Sequence, residues 1–452
     1  MGKTMKQLSV KNSFSQSILK IALPVTVQSM LRASFSIVDQ VMIGQLGSES
    51  ISGIGLGGKF ASIHGVVLGA ITAAVAIMIS QYMGQKKEQN VRRSFWVNML
   101  VSLGIALLFT VVSVAFTEPI LSCYTKDPVT RQLGETYLGI YAWSFFPAAL
   151  SGMAETMLCC MEAAVFPLIA SISSLVINTG LNYILIFGKF GFPELGVGGA
   201  AIASVIAQVI ACILTYLFLI WKLKEKGMRL SFDIGFERTE LISYVKILTP
   251  LLVCEFLWSL GENVYSAIYG NIGTNDCAAM TMDSPIQCLV IGALSGLAKA
   301  AGIMVGKSLG DEDYEAAYQD SKKLMKFGLL VSAGLSVLLV IFGRAYTGIY
   351  NVEPSVRQTA YALLVVFAVV SPVKVQNMIL GGGILRSGGK TKYVMAIDVI
   401  GTWGFGVPLG LLSAFVFHLP ITWVYFILSM EECVRLVISL VLFKKRTWMQ
   451  KI

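Results

Sequence analysis

Charge is scarce in this chain. Of its 452 residues only 13% are Asp, Glu, Lys or Arg, about half of the roughly 25% usual in a soluble globular protein. Histidine is scarcer still. His64 and His418 are the only two and stand far apart in sequence, so a histidine-based metal centre or general base has no support. The eight cysteines show no metal spacing. Cys159, Cys160, Cys212, Cys254, Cys288 and Cys433 lie within or beside apolar runs, where a small thiol packs between helices. There is no aspartate-rich Mg2+ motif and no nucleophile–base pair. The glycine runs follow no soluble strand, which argues against a nucleotide site. The first residues lack the short apolar core and small-residue cleavage site of a signal peptide. These absences argue against an enzyme and against a bound cofactor.

Apolar residues fill the space. They make up 55% of the chain, and the mean hydropathy is +0.73. A bilayer-spanning helix needs roughly 20 apolar residues, and twelve such runs can be traced: 16–45, 51–82, 94–116, 134–158, 163–188, 197–221, 241–270, 275–307, 326–345, 358–383, 392–417 and 420–443. The expected class is an all-α polytopic membrane protein. Its net charge of +9 is distributed by topology. With residue 1 on the cytoplasmic side, cytoplasmic segments hold 23 Lys and Arg and the opposite loops only five. The positive-inside rule then places both ends in the cytoplasm. No nucleic-acid partner is needed to explain the basic balance, and the short outer loops leave no room for a soluble enzymatic domain.

The chain also repeats itself. Pro24 recurs as Pro250, and the same offset relates Gly44 to Gly270, Gly47 to Gly273 and Gly84 to Gly310. The division expected is an N-terminal lobe of six spans over 1–221, a cytoplasmic linker over 222–240 and a C-terminal lobe of six spans over 241–452. An even number of spans per copy gives both copies one orientation, related by a pseudo-twofold axis along the membrane normal.

Ionisable groups inside spans cost several kcal/mol, roughly, and are functional candidates by default. Asp39 lies deep in the first run, downstream of Pro24, a proline that removes a helical donor and marks a hinge. A carboxylate near a breakable helix suits a proton- or cation-driven switch. The plainer alternative is a carboxylate paired with a buried base, and Arg32, two helical turns earlier on the same face, supplies one. Asn178 and Asn182 share a face of the fifth run; amides there often only join neighbouring helices. In the second copy Glu255, Glu262 and Asp398 are the carboxylate candidates, with Lys299 and Lys374 expected as their charge partners. At the offset of the repeat Asp39 matches Tyr265, so the copies differ where chemistry is expected.

Several segments together resemble the multidrug and toxic compound extrusion (MATE) family. They are Pro24; Val38-Asp39-Gln-Val-Met-Ile-Gly44-Gln-Leu-Gly47; Asn178-Thr-Gly-Leu-Asn182-Tyr-Ile-Leu-Ile-Phe-Gly188; Pro193 to Ser204; and Leu385-Arg-Ser-Gly-Gly-Lys390-Thr. The resemblance covers essentially the whole chain. It implies twelve helices in two pseudo-twofold-related six-helix lobes, and export of drugs by alternating access, coupled to H+ or Na+. It further implies that Asp39, Asn178, Asn182 and Ser204 form an ion-coupling site in the first lobe, with a possible Na+ at Asp39, Asn178 and Asn182. Bacterial members have Asp where this chain has Asn182, which removes one formal charge. The acidic residue of the Glu255-Phe-Leu-Trp-Ser-Leu-Gly261 helix is the implied second-lobe cation ligand.

The function expected is a secondary active antiporter exporting amphipathic, cationic compounds, acting as a monomer in the bacterial inner membrane on small-molecule substrates. A lipid-linked-precursor flippase on a related scaffold is the alternative. It would use Arg32, Lys59, Lys299 and Lys374 to hold a pyrophosphate, but the Asp39, Asn178 and Asn182 set weighs against it.

Overall fold

The structure, a computed structural model, describes residues 19–32, 42, 43, 45–235, 238–349 and 353–452, apart from the side chains of 48, 239, 274, 275, 277 and 278. Every regular element among them is helical. Helix α1 covers residues 19–32. It is followed by α2 (Ser48–Gly84), α3 (Glu88–Ala115), the short α4 (Thr117–Ser122), α5 (Pro128–Tyr141), α6 (Phe145–Cys160), α7 (Val165–Phe187) and α8 (Gly196–Glu225). Then come α9 (Arg238–Ile272), α10 (Thr274–Gly310), α11 (Tyr314–Gly348), α12 (Pro354–Asn377), α13 (Thr391–Val399), α14 (Val407–Leu411), α15 (Ile421–Ser429) and α16 (Glu431–Lys445).

Among the described residues nine helices are long and apolar enough to cross a membrane. The three other expected crossings have identifiable reasons for falling short. The first runs into 33–41, outside the described residues. The run at 134–158 is split into α5 and α6 by a 3-10 turn at Ala142–Ser144. The run at 420–443 breaks at Met430 between α15 and α16. Counting each broken run as one crossing restores the twelve-helix fold.

The chain forms two compact units. One comprises residues 30–79 and 87–236. Its α5 begins at Asp127, whose side chain accepts the Thr130 N–H at 2.9 Å, with Pro128 at the first helical position; this is the residue pattern that satisfies a helix N-terminus. The Thr130 side chain, then its backbone N–H, hold the Asp127 carboxyl below its usual value. Helices α7 and α8 form a close hairpin. Gly188 ends α7 with φ of 62°, a left-handed turn suited to glycine, and Leu195 N donates back to Leu185 O at 2.9 Å. A methyl group on Gly199 would stand 2.6 Å from that same carbonyl, so α8 needs glycine there to lie against α7. His64 is buried and stacked on Phe145 at 4.3 Å, with Phe109 at its edge. It is a packing residue of an aromatic core.

The other unit comprises residues 1–29, 80–86 and 237–452. Pro250, Pro285 and Pro372 lie inside α9, α10 and α12. Three stretches widen into π-helical turns: Met378–Leu385 after α12, Ile400–Gly406 after α13 and Leu412–Val416 after α14. The widening leaves backbone groups outside the usual ladder, a feature associated with functional helices. Within this unit α1 lies against α10: Thr26 Oγ1 donates to Ala293 O at 2.7 Å, and a side chain on Gly296 would overlap the Ala22 carbonyl. A core of Tyr265, Ile268, Leu363, Val424 and Leu428 holds α9, α12 and α15 together.

Candidate functional site

Three of the four residues expected in the first-lobe site meet in the structure. Asn178 and Asn182 are one turn apart on α7, and Asn182 Nδ2 donates to Asn178 Oδ1 at 3.3 Å. Asn178 Nδ2 donates in turn to Ser204 Oγ on α8 at 3.4 Å, and Ser204 gives its hydroxyl to Ala200 O at 3.0 Å. Asn182 is 2% exposed and Asn178 9%. The set is therefore a buried polar patch without formal charge, held by the tight α7–α8 hairpin. Asp39 lies outside the described residues. Pro24 sits buried inside α1, whose described residues stay helical on both sides of it.

Among the described residues Arg32, the base expected beside Asp39, has partners on α6 and α7. Arg32 Nη2 lies 3.5 Å from Glu155 Oε1 on α6 and 3.5 Å from Ser171 Oγ on α7. Its side chain is 57% exposed, a weak pair by the usual measure of surface ion pairs.

Two of the second-copy candidates, Glu255 and Asp398, belong to one ion network drawn from α9, α12, α13, α16 and Arg386, which follows the π-helical turn Met378–Leu385. Glu255 Oε1 accepts from Arg386 Nη1 at 3.1 Å. Cys254 donates its thiol to Asp398 Oδ2 at 2.7 Å, and Arg386 Nη2 reaches the same sulfur at 3.5 Å. Asp398 Oδ1 is 3.9 Å from Arg435 Nη1, which is also 4.0 Å from Glu432. Arg435 Nη2 is 3.5 Å from Glu431, and that group donates to the Thr402 hydroxyl. Lys374 Nζ lies 4.0 Å from Glu432, and Asn377 Nδ2 donates to Glu432 Oε2 at 2.8 Å. Tyr265, the counterpart of Asp39, donates its hydroxyl to Glu431 at 2.5 Å.

This corrects the expected pairing. Glu255 and Asp398 are matched by Arg386 and Arg435, where Lys299 and Lys374 were the expected bases. Lys374 serves Glu432, and Lys299 lies half-buried on α10. Glu262 is exposed and in no ion pair among the described residues. Arg386, and Tyr265 beyond its place opposite Asp39 in the repeat, are the members that the sequence did not point to as partners. Glu431, Glu432 and Arg435 carried a visible signal, because i,i+3 and i,i+4 spacing places both carboxylates beside the guanidinium. Nothing local marked Tyr265 or Arg386.

Comparison with known proteins agrees with this architecture. The MatE family model matches residues 24–184 and again 250–412, two matches that begin at the two repeated prolines. An uncharacterized transporter of Bacillus subtilis (strain 168), YisQ, is 23% identical over 96% of this chain and 95% of its own. A probable multidrug resistance protein NorM of Rhizobium meliloti (strain 1021) is 26% identical over 92% of this chain and 90% of its own. Among solved structures, the MATE transporter VcmN of Vibrio cholerae superposes with a TM-score of 0.86 at 18% identity, covering 96% of this chain and 97% of that one.

A duplicated chain whose described residues include nine membrane-length apolar helices and buried polar clusters has the architecture of a membrane transporter. Matched in both of its copies, the chain belongs to the MatE family.

Proposed function

We propose that this transporter is a secondary active exporter of amphipathic, cationic small molecules. It works by alternating access as an antiporter, driven by H+ or Na+ influx through the bacterial plasma membrane, with both ends in the cytoplasm. The observation that carries the proposal is the hydrogen-bonded Asn178–Asn182–Ser204 set, at the positions where the family resemblance puts the partners of Asp39. Two amides and a hydroxyl bring oxygen ligands but no charge, so of these four residues Asp39 alone carries a formal charge. A single carboxylate is neutralised by a single monovalent cation, H+ or Na+. Na+, a hard cation, gains from each further oxygen, as other hard cations do. Occupancy changes the cost of keeping Asp39 in an apolar helix and so biases the local packing. In the second copy Glu255 and Asp398 are already tied to arginines, which makes the first lobe the seat of coupling. Relatives named as multidrug resistance proteins support export.

The test is efflux of ethidium or norfloxacin by cells carrying Asp39→Asn. Loss of efflux at wild-type expression is expected. Normal efflux by that variant removes Asp39 from its assigned role.

A further inference from the structure

The unit of residues 1–29, 80–86 and 237–452 contains a second polar construction, far along the chain from any coupling residue. It lies where the last turns of α2 meet the end of α10. A side chain on Gly84 would overlap the Lys307 carbonyl, and one on Gly310 would overlap the Gln81 carbonyl. These two contacts are one contact seen twice, because the repeat that relates 84 to 310 also relates 81 to 307. Glycine at both positions lets the helix ends touch backbone to backbone.

On this junction lies the segment that follows α16. Trp448 is fully buried, donates its indole N–H to Phe443 O at 3.3 Å, and stacks on Phe443, which stacks on Tyr318. Arg446 lies over the Tyr318 ring at 3.9 Å and pairs with Glu315 at 3.0 Å. Lys451 pairs with Glu312. Gln81, with no exposed surface, then reads the backbone of the segment on both sides of Lys451. Its Nε2 donates to Gln450 O at 3.1 Å, and its Oε1 accepts Ile452 N–H at 2.7 Å. The same Nε2 reaches Ser387 O at 2.7 Å, and Gln85 Nε2 donates to Ile452 O at 3.0 Å.

Helix α2 is divided between the two units: residues up to 79 belong to one, and 80–86 to the other. Its final turns pack with α10 and the segment after α16 within that unit. The equivalent positions of the first copy, 220–226, form the largely exposed end of α8 and the residue after it, where Lys222 pairs with nearby Glu225 at 2.6 Å.

We propose that the segment 446–452 is a strap that fixes the end of α2 to this unit, so that bending during transport is confined to the stretch around Ile79 and Ser80. It is a conformational device built on one copy of the repeat. The proposal rests on the alternating-access assignment above only in its transport arm.

The experiment uses the full chain in lipid nanodiscs and liposomes, with two variants. Gln81→Leu/Gln85→Leu removes the hydrogen bonds from the α2 side and leaves Trp448 in place. Trp448→Ala loosens the strap itself. Each is compared with the native chain at equal amounts of monodisperse protein. Amide hydrogen exchange of residues 80–86 is expected to quicken about tenfold in the double variant as local opening becomes easier. Ethidium turnover is expected to fall several-fold with its apparent KM unchanged. Unchanged exchange in the double variant overturns the proposal. So does faster exchange with native turnover, which is the behaviour of a segment that only packs. If the native chain moves no ethidium, the export assignment fails by itself, and the exchange measurement alone decides the strap.

Discussion

Arg435 stands within 4.0 Å of three carboxylates, Asp398, Glu431 and Glu432, and is itself buried. Removing one partner of a buried ion network leaves uncompensated charge, which costs about 3–5 kcal/mol. Arg435→Met is therefore expected to lower the unfolding temperature of the purified protein sharply. Adding Glu431→Gln to that variant should recover part of the loss. At the other polar cluster the useful change runs the opposite way. Asn182→Asp adds a carboxylate beside Asn178 and Ser204, and is expected to strengthen the dependence of transport on Na+, read as a lower Na+ concentration for half-maximal drug efflux. An unchanged Na+ dependence would place Asn182 outside the coupling site. Residue types were legible in the sequence: the candidate carboxylates and amides could be picked out because charge and polarity are rare in apolar runs. Their partners were not. Arg386 is 131 residues from Glu255 and Arg32 is 123 from Glu155, and such choices are made by helix rotation and packing, to which local pattern is blind.

Helices follow two rules in this chain, one for their ends and one for their contacts. Asp127 caps α5, and hydrogen bonds that favour its charged form hold its carboxyl below the usual 3.8. A carboxyl depressed by folding stabilises above its unfolded value, and its contribution disappears as the pH falls through the lower, folded value. Asp127→Ala is thus expected to lower thermal stability at neutral pH and to differ little from the native chain in strong acid, measured by melting across pH. Contacts depend on small residues. Gly199→Val would push α8 off the Leu185 carbonyl, where overpacking costs about 1–3 kcal/mol or more, and with it separate Ser204 from Asn178. Loss of both stability and drug efflux is the expected result. Helix positions were readable from hydropathy, as nine of twelve expected runs are single long helices among the described residues. The breaks within 128–160 and 421–445 were not, because an apolar run reads the same whether its helix continues or stops and restarts.

Across the whole chain the repeat is a scaffold and the departures from it are the chemistry. The family match falls twice, at the offset that the prolines and glycines already marked. Where the first copy has Asp39, the second has Tyr265, and the structure turns that tyrosine into a hydrogen-bond donor to Glu431 within an arginine-balanced network. A phenol so engaged is no substitute for a free carboxylate, so on the proposed reading the duplicated architecture carries one coupling site beside this ion network. Duplication was visible in the sequence, and so was the mismatch at Asp39. What the mismatch does in the second copy became apparent only with α9, α13 and α16 brought side by side.

On the proposed reading, export is driven by one monovalent cation acting on the first lobe. Purified protein in liposomes, given a Na+ gradient or a H+ gradient separately, tests it most directly. Movement of ethidium should respond to one of the two gradients, and Asp39→Asn should abolish the response. Transport indifferent to both gradients, or undiminished in Asp39→Asn, would contradict it.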